Sequence, residues 1–115
     1  MTLRQKQSKF EHLVPILINK AEELDYEITL GEVYRSPEEA LRLSKLGKGI
    51  EKSLHTLKLA IDINLFMNGK YLRFSENYRL LGEFWESLSD DKIICFWGGR
   101  FEDGNHFSVG HGGRK

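Results

Sequence analysis

The sequence predicts an α+β domain, a small and mainly antiparallel sheet with helices packed on one face. Three observations carry this. Apolar residues recur at helical spacing in Phe10, Leu13, Val14, Leu17, Ile18 and again in Leu81, Phe84, Trp85, Leu88. EITLGEVY from Glu27 and LKLAIDINLF from Leu57 alternate and are rich in β-branched residues. Met67-Asn68-Gly69-Lys70 holds the Asn-Gly pair of a tight hairpin, which makes at least one strand pair antiparallel.

In chain order, Ser8 to Leu24 reads as a helix that either begins near Pro15 or bends there. Glu27 to Tyr34 reads as a strand, with Gly31 marking a bulge or a close backbone approach. Ser36-Pro37-Glu38-Glu39 opens a second helix: Ser at the cap, Pro in the first helical position, acids in the first turn. It runs to Leu46, and Gly47 and Gly49 then give a loop. Leu57 to Phe66 is the next strand, answered across the hairpin by Tyr71 to Phe74. Tyr78 to Leu88 is helical, and Ile93 to Trp97 and His106 to Val109 are short strands. Gly98-Gly99 opens the loop that carries Glu102, Asp103, Gly104 and Asn105, and the tail HGGRK is expected to be loose.

The 115 residues suit one domain, 1–115, with a core that needs no disulfides. Lys+Arg and Asp+Glu balance at 17 each, so net charge gives no argument for nucleic acid or an anionic membrane. Cys95 is the single cysteine, and its setting, IICFW, predicts a buried, inert thiol. No apolar run approaches the roughly 20 residues of a membrane span. MTLRQKQSKFEH has basic residues without an apolar stretch after them, so we expect synthesis in a cytoplasm with no export signal. A monomer is expected.

Asp62 stands in the middle of an apolar strand, where a carboxylate is costly unless paired or coordinated. Alternation puts Leu57, Leu59, Ile61, Ile63 and Leu65 on one face and Lys58, Ala60, Asp62 and Asn64 on the other. A solvated sheet face is the ordinary explanation. His55 precedes Asp62 by seven residues, roughly 23 Å along a regular strand at about 3.3 Å per residue. The two can meet only if the chain turns before the strand and delivers His55 from a loop. In EDGNHF, a turn at Gly-Asn would bring Asp103 and His106 to one side, although Asp-Gly-Asn is also a common surface turn.

Taken in order, GEVYRSPEEA, SLHTLKLAIDINLF and WGGRFEDGNHFS resemble the zinc D-alanyl-D-alanine carboxypeptidase family, which includes the vancomycin-resistance dipeptidases. They look closer to its bacteriophage branch, the L-alanyl-D-glutamate endopeptidases used as endolysins. The family pattern is an arginine in a Y-R-[ST] segment, then S-x-H-x-x-G-x-A-x-D, then an acid three residues before a histidine. The resemblance runs from Gly31 to Ser108 and implies the α+β fold shared with the hedgehog signalling domain. It implies His55, Asp62 and His106 as zinc ligands, Asp103 as the catalytic carboxylate and Arg35 as the cation beside the reacting carbonyl. Ser53 would orient His55 or bind substrate. Two departures stand out. The family glycine falls at Lys58, and the acid is Asp103 rather than the glutamate of the dipeptidase branch, with Glu102 as the choice if the loop register differs.

This set implies a catalytic zinc with one position open to water, because two His and one Asp leave a fourth site free. Asp103 would act as general base and acid, and Arg35 would stabilise the oxyanion. The ordinary alternative for Arg35 is an ion pair with Glu38 or Glu39; Trp97 lines the cleft or packs in the core. The expected activity is cleavage of the L-Ala–D-Glu bond of the peptidoglycan stem peptide by an endolysin. It would be made in a bacterial host, a Gram-negative one, reaching the wall with a companion membrane-permeabilising protein. The chain leaves no room for a separate wall-binding module. A D-Ala-D-Ala carboxypeptidase and a zinc-stabilised binding domain without turnover are the alternatives. The endopeptidase is preferred because a carboxypeptidase needs a cation for the terminal carboxylate. Arg35 is the only one the motifs supply, and Lys58 lies about 13 Å from Asp62 along the strand at roughly 3.3 Å per residue. His111 would ligate only if the tail folds back.

Overall fold

The computed structural model describes residues 1–115. Its first helix, α1, spans Leu3–Glu23. It starts at Leu3 rather than Ser8 because Thr2 and Gln5 form a capping box, each side chain accepting from the other's backbone N–H. Leu3 packs at the edge of the core, but the polar residues between it and Phe10 break the apolar stripe that periodicity relies on. Pro15 lies inside the helix and does not begin it.

β1 spans Glu27–Leu30 and stops short of Tyr34. Gly31 is the reason. Its N–H donates to the Asp62 carbonyl at 2.7 Å, and the Asp62 N–H donates to the Glu32 carbonyl at 2.9 Å. Two residues thus face one, as at a bulge, and the chain turns away. A Cβ on Gly31 would lie 3.0 Å from the Asp62 Cβ, so the close approach is real as well.

α2 spans Pro37–Lys45, with the Ser36 hydroxyl accepting from the Glu39 N–H at 3.1 Å. It closes on Gly47 at φ +70, with Gly47 N–H bonded to the Ser44 carbonyl and Lys48 N–H to the Leu43 carbonyl. That pair of bonds is a Schellman cap. Leu54–Leu57 is a 3-10 turn, so β2 begins at Ala60 and runs to Met67, later than the predicted Leu57. Ile61, Ile63 and Leu65 are buried on one face, while Asp62 and Asn64 stand half-buried on the other, as alternation requires.

Asn68 and Gly69, at φ +51 and +76, turn β2 into β3, Lys70–Tyr71. β3 ends before Phe74, which is solvent-exposed. α3 spans Arg79–Ser87, entered through a 3-10 turn at Ser75–Tyr78. β4 is Cys95–Trp97 and β5 is His106–Val109. The strand order is β1-β2-β5-β4, every pairing antiparallel, with β3 on the end of β2. α1 and α3 cover the face carrying Ile61, Ile63 and Phe107. Trp85 is the centre of that core, edge-on to Phe10 at 6.0 Å and to Phe107 at 6.3 Å, its indole N–H donating to the Ser108 carbonyl.

Cys95 is buried, and that burial pushes its thiol up to about 11. The tail is not loose: His111 bridges to Arg114 around Gly112 and Gly113, both at positive φ. No helix is long and apolar enough to cross a membrane.

Candidate active site

The β2–β5 register sets Asp62 directly opposite His106 on the sheet face away from α1 and α3. His55 reaches the same point from the 3-10 turn before β2. Ser53 caps that turn, its hydroxyl accepting the His55 N–H at 3.1 Å, so it fixes where His55 starts. The roughly 23 Å that a straight strand would put between His55 and Asp62 therefore collapses to 3.2 Å between His55 Nε2 and Asp62 Oδ1. His106 Nδ1 lies 3.5 Å from the same oxygen. One donor atom from each of the three residues falls within 4.8 Å of the other two.

The donor chemistry fits a divalent cation. His55 Nδ1 lies 3.0 Å from the Val33 carbonyl, to which it donates, leaving the Nε2 lone pair turned toward Asp62. Two imidazole nitrogens and a carboxylate thus converge with no permanent positive charge among them, the ligand set that suits zinc. Without metal, protons take that part. Burial resists charging His55, but Asp62, the Val33 carbonyl and Glu32 outweigh it and raise its pKa. Burial likewise opposes ionised Asp62, yet His106 and His55 together hold it down to about 2. His106 Nε2 is buried without a partner.

Asp103 follows from the 3-10 turn Gly98–Phe101. Its N–H donates to the Gly98 carbonyl at 2.8 Å, and its own carbonyl accepts from the His106 N–H at 3.0 Å. Its Oδ2 lies 3.9 Å from His106 Nδ1. Its side chain is half exposed, and the desolvation of its remaining surface raises its pKa, with His106 opposing and Asp62 adding like charge. Glu102, in the left-handed region at φ +62, is exposed and does not line the site. Trp97 belongs to the core, 1% exposed, its indole N–H bonded to the Gly104 carbonyl at 2.7 Å.

Arg35 pairs with Glu32, not with Glu38 or Glu39; Glu39 bonds Arg42 instead. The Arg35 backbone N–H donates to the His55 carbonyl at 3.2 Å, and its Nε is buried without a partner. Glu32 was not singled out from the sequence. It holds Arg35 and stands 3.9 Å from His55 Nδ1. Its only signal is its place three residues before Arg35.

Arg35, Ser53, His55, Asp62, Asp103 and His106 all line one cavity of about 380 Å³. Lys48, Gly49, Ile50, Phe101 and Lys115 complete its wall. Lys58 is elsewhere, its ammonium 5.5 Å from the Tyr34 ring centroid. Lys48 is a cation on this cavity that the motifs do not supply. Lys115 also borders the cavity, but its ammonium stands 5.8 Å from the Phe96 ring centroid, in a neighbouring hollow. The tail folds back, but His111 lines a different cavity with Lys6 and Phe96.

No protein-family model matches the chain. No curated protein matches it either. Among solved structures, the chain is similar to the L-Ala D-Glu endopeptidase ChiX of Serratia marcescens, with 21% identity and a TM-score of 0.55. The likeness covers 74% of this chain and 68% of that one, and it bears on the fold: the α+β architecture is that of a peptidase structure.

Proposed function

We propose that residues 1–115 act as one zinc peptidase domain that hydrolyses the L-Ala–D-Glu bond of the peptidoglycan stem peptide. The observation that carries this reading is the gathering of His55, Asp62 and His106 with Asp103 and Arg35 around one cavity. A zinc held only for structure needs neither a free carboxylate nor a cation beside it. The fold shared with an endopeptidase of that name supports the choice of substrate.

His55, Asp62 and His106 would hold the zinc, which supplies a Lewis acid for water and for the amide carbonyl. Asp103 does the proton work. Its raised pKa suits a group that takes a proton from the attacking water at Oδ2 and returns it to the leaving amide nitrogen. Arg35, kept in place by Glu32, lines the same cavity and would stabilise the oxygen that becomes negative. Ser53 fixes the 3-10 turn and so the aim of His55.

The biological setting we propose is an endolysin that acts on the cell wall of its host. The test is digestion of purified peptidoglycan, with mass analysis and labelling of new amino termini. New N-terminal D-Glu is expected. Lys48 favours one second reading, a D-Ala-D-Ala carboxypeptidase, since it could hold a terminal carboxylate. Release of free D-Ala without a new D-Glu terminus would establish that reading instead.

A further inference from the structure

The catalytic cavity does not end at Lys48 and Lys115. Ile50, Phe101 and Lys115 also line a neighbouring hollow of about 520 Å³, with Lys52 and Arg114. The tail turn, Gly112 to Lys115, is in turn shared with a third hollow of about 360 Å³ that holds Lys6 and Lys92. Beyond Asp62 and Asp103, no acidic residue lines any of the three. None of Lys48, Lys52, Arg114 or Lys115 has an ion-pair partner. In a chain whose charges cancel, these adjoining hollows thus form a groove lined by cations, while Lys52 and Arg114 also share a fourth hollow with Glu38 and Glu51. Ile50 and Phe101, 63% and 46% exposed, add apolar surface to the lining of the groove. Lys48 starts from a fixed point, because the Schellman cap of α2 binds its backbone N–H.

Only one side of the proposed scissile bond offers matching chemistry. L-Ala is linked toward the sugar through an uncharged amide. D-Glu, joined onward through its γ-carboxyl, keeps a free α-carboxylate, and later stem residues add more. Resting on the peptidase reading above, we propose that this groove is the binding track for the acidic, D-Glu side of the stem peptide. Lys48 receives the carboxylate next to the scissile amide, and Lys52 with Arg114 receives carboxylates further along. Amidation of that first carboxylate, which removes its charge, then acts as a specificity filter.

The test uses zinc-loaded Asp103→Ala protein, so that peptides bind without being cut, and calorimetric titration. The probes are L-Ala-γ-D-Glu-L-Lys, its α-carboxamide counterpart, and the same peptide extended by a residue with a free carboxylate. The carboxylate peptide is expected to bind about tenfold tighter than the carboxamide at low salt, a gap that shrinks as salt is added. Adding Lys48→Gln should abolish the gap, and Lys48→Arg should keep it, which separates lost charge from misfolding. The extension should tighten binding, but not when Lys52→Gln and Arg114→Gln are added. Equal affinity for the two short peptides, or a gap that survives Lys48→Gln, overturns the track. Cleavage by the unmodified protein is scored separately. Failure to cut either peptide, with the binding gap intact, strikes the hydrolase reading and leaves the track standing.

Discussion

Asp103 and His106 are three residues apart and share one cavity, yet their proposed tasks separate in a pair of variants. His106→Ala removes one of three converging donors and should fall well below one zinc equivalent by elemental analysis. Asp103→Ala should keep its zinc and lose turnover by about 10²- to 10⁴-fold, the range of a general acid/base. Glu102→Ala is the control; a loss there with none at Asp103 would move the catalytic role by one residue. A third residue tests the backbone. Lys58 occupies the left-handed region at φ +58, where the resembling family has glycine. A side chain there costs about 1–2 kcal/mol, part of which glycine's flexibility and the lost Tyr34 contact give back. Lys58→Gly should raise stability by about 0.5 kcal/mol, read as a shifted urea midpoint at unchanged slope.

At the scale of elements, the loop between β4 and β5 is held by close backbone packing. A Cβ on Gly98 would come 2.1 Å from the Asp103 carbonyl oxygen and 2.7 Å from the His106 Cβ, so neither neighbour can stay where it is. Overpacking of this kind costs about 1–3 kcal/mol. Gly98→Ala should therefore weaken zinc binding about tenfold or more, measured by competition with a chromophoric chelator, while the far-ultraviolet spectrum shows the sheet intact. The same region shows what the sequence can and cannot tell. Period and caps place α2, α3 and the hairpin turn, because helix stripes, Ser36-Pro37 and Asn68-Gly69 act locally. The start of β2 and the end of β1 are misjudged. Leu57 and Leu59 look like strand residues but lie in a 3-10 turn and in the connection after it, Leu57 partly and Leu59 fully buried, and Gly31 ends β1 through a contact with Asp62 that lies far along the chain. The residues of the site are legible through the spacing of three motifs. Glu32, Lys48 and Lys115 are not, since only tertiary folding brings them to the cavity.

Over the whole molecule, the site couples proton and metal to stability. In the metal-free fold the His55 pKa lies above its usual 6.5, burial being overcome by Asp62, the Val33 carbonyl and Glu32. Its proton therefore stabilises the fold fully below 6.5, and that contribution fades as pH rises through the raised value. Asp62 runs the other way: with its pKa down from 3.8 to about 2, its contribution is present above 3.8 and lost as pH falls toward 2. Zinc needs His55 without that proton, so the rise in Tm on adding zinc should grow from about pH 5.5 to pH 8. Thermal unfolding with zinc and with chelator checks this, and an increment flat in pH would count against His55 as a ligand. The placement of Trp97 has a consequence for how such changes are seen. Its indole is closed in by Gly82 and Gly99 and tied to Gly104, the residue after Asp103. In a Trp85→Phe background it would be the only indole left to fluoresce, so movement of the Asp103 loop would alter the colour and intensity of its emission. The protein thus carries its own optical gauge of the segment that the proposed chemistry depends on, with no label attached.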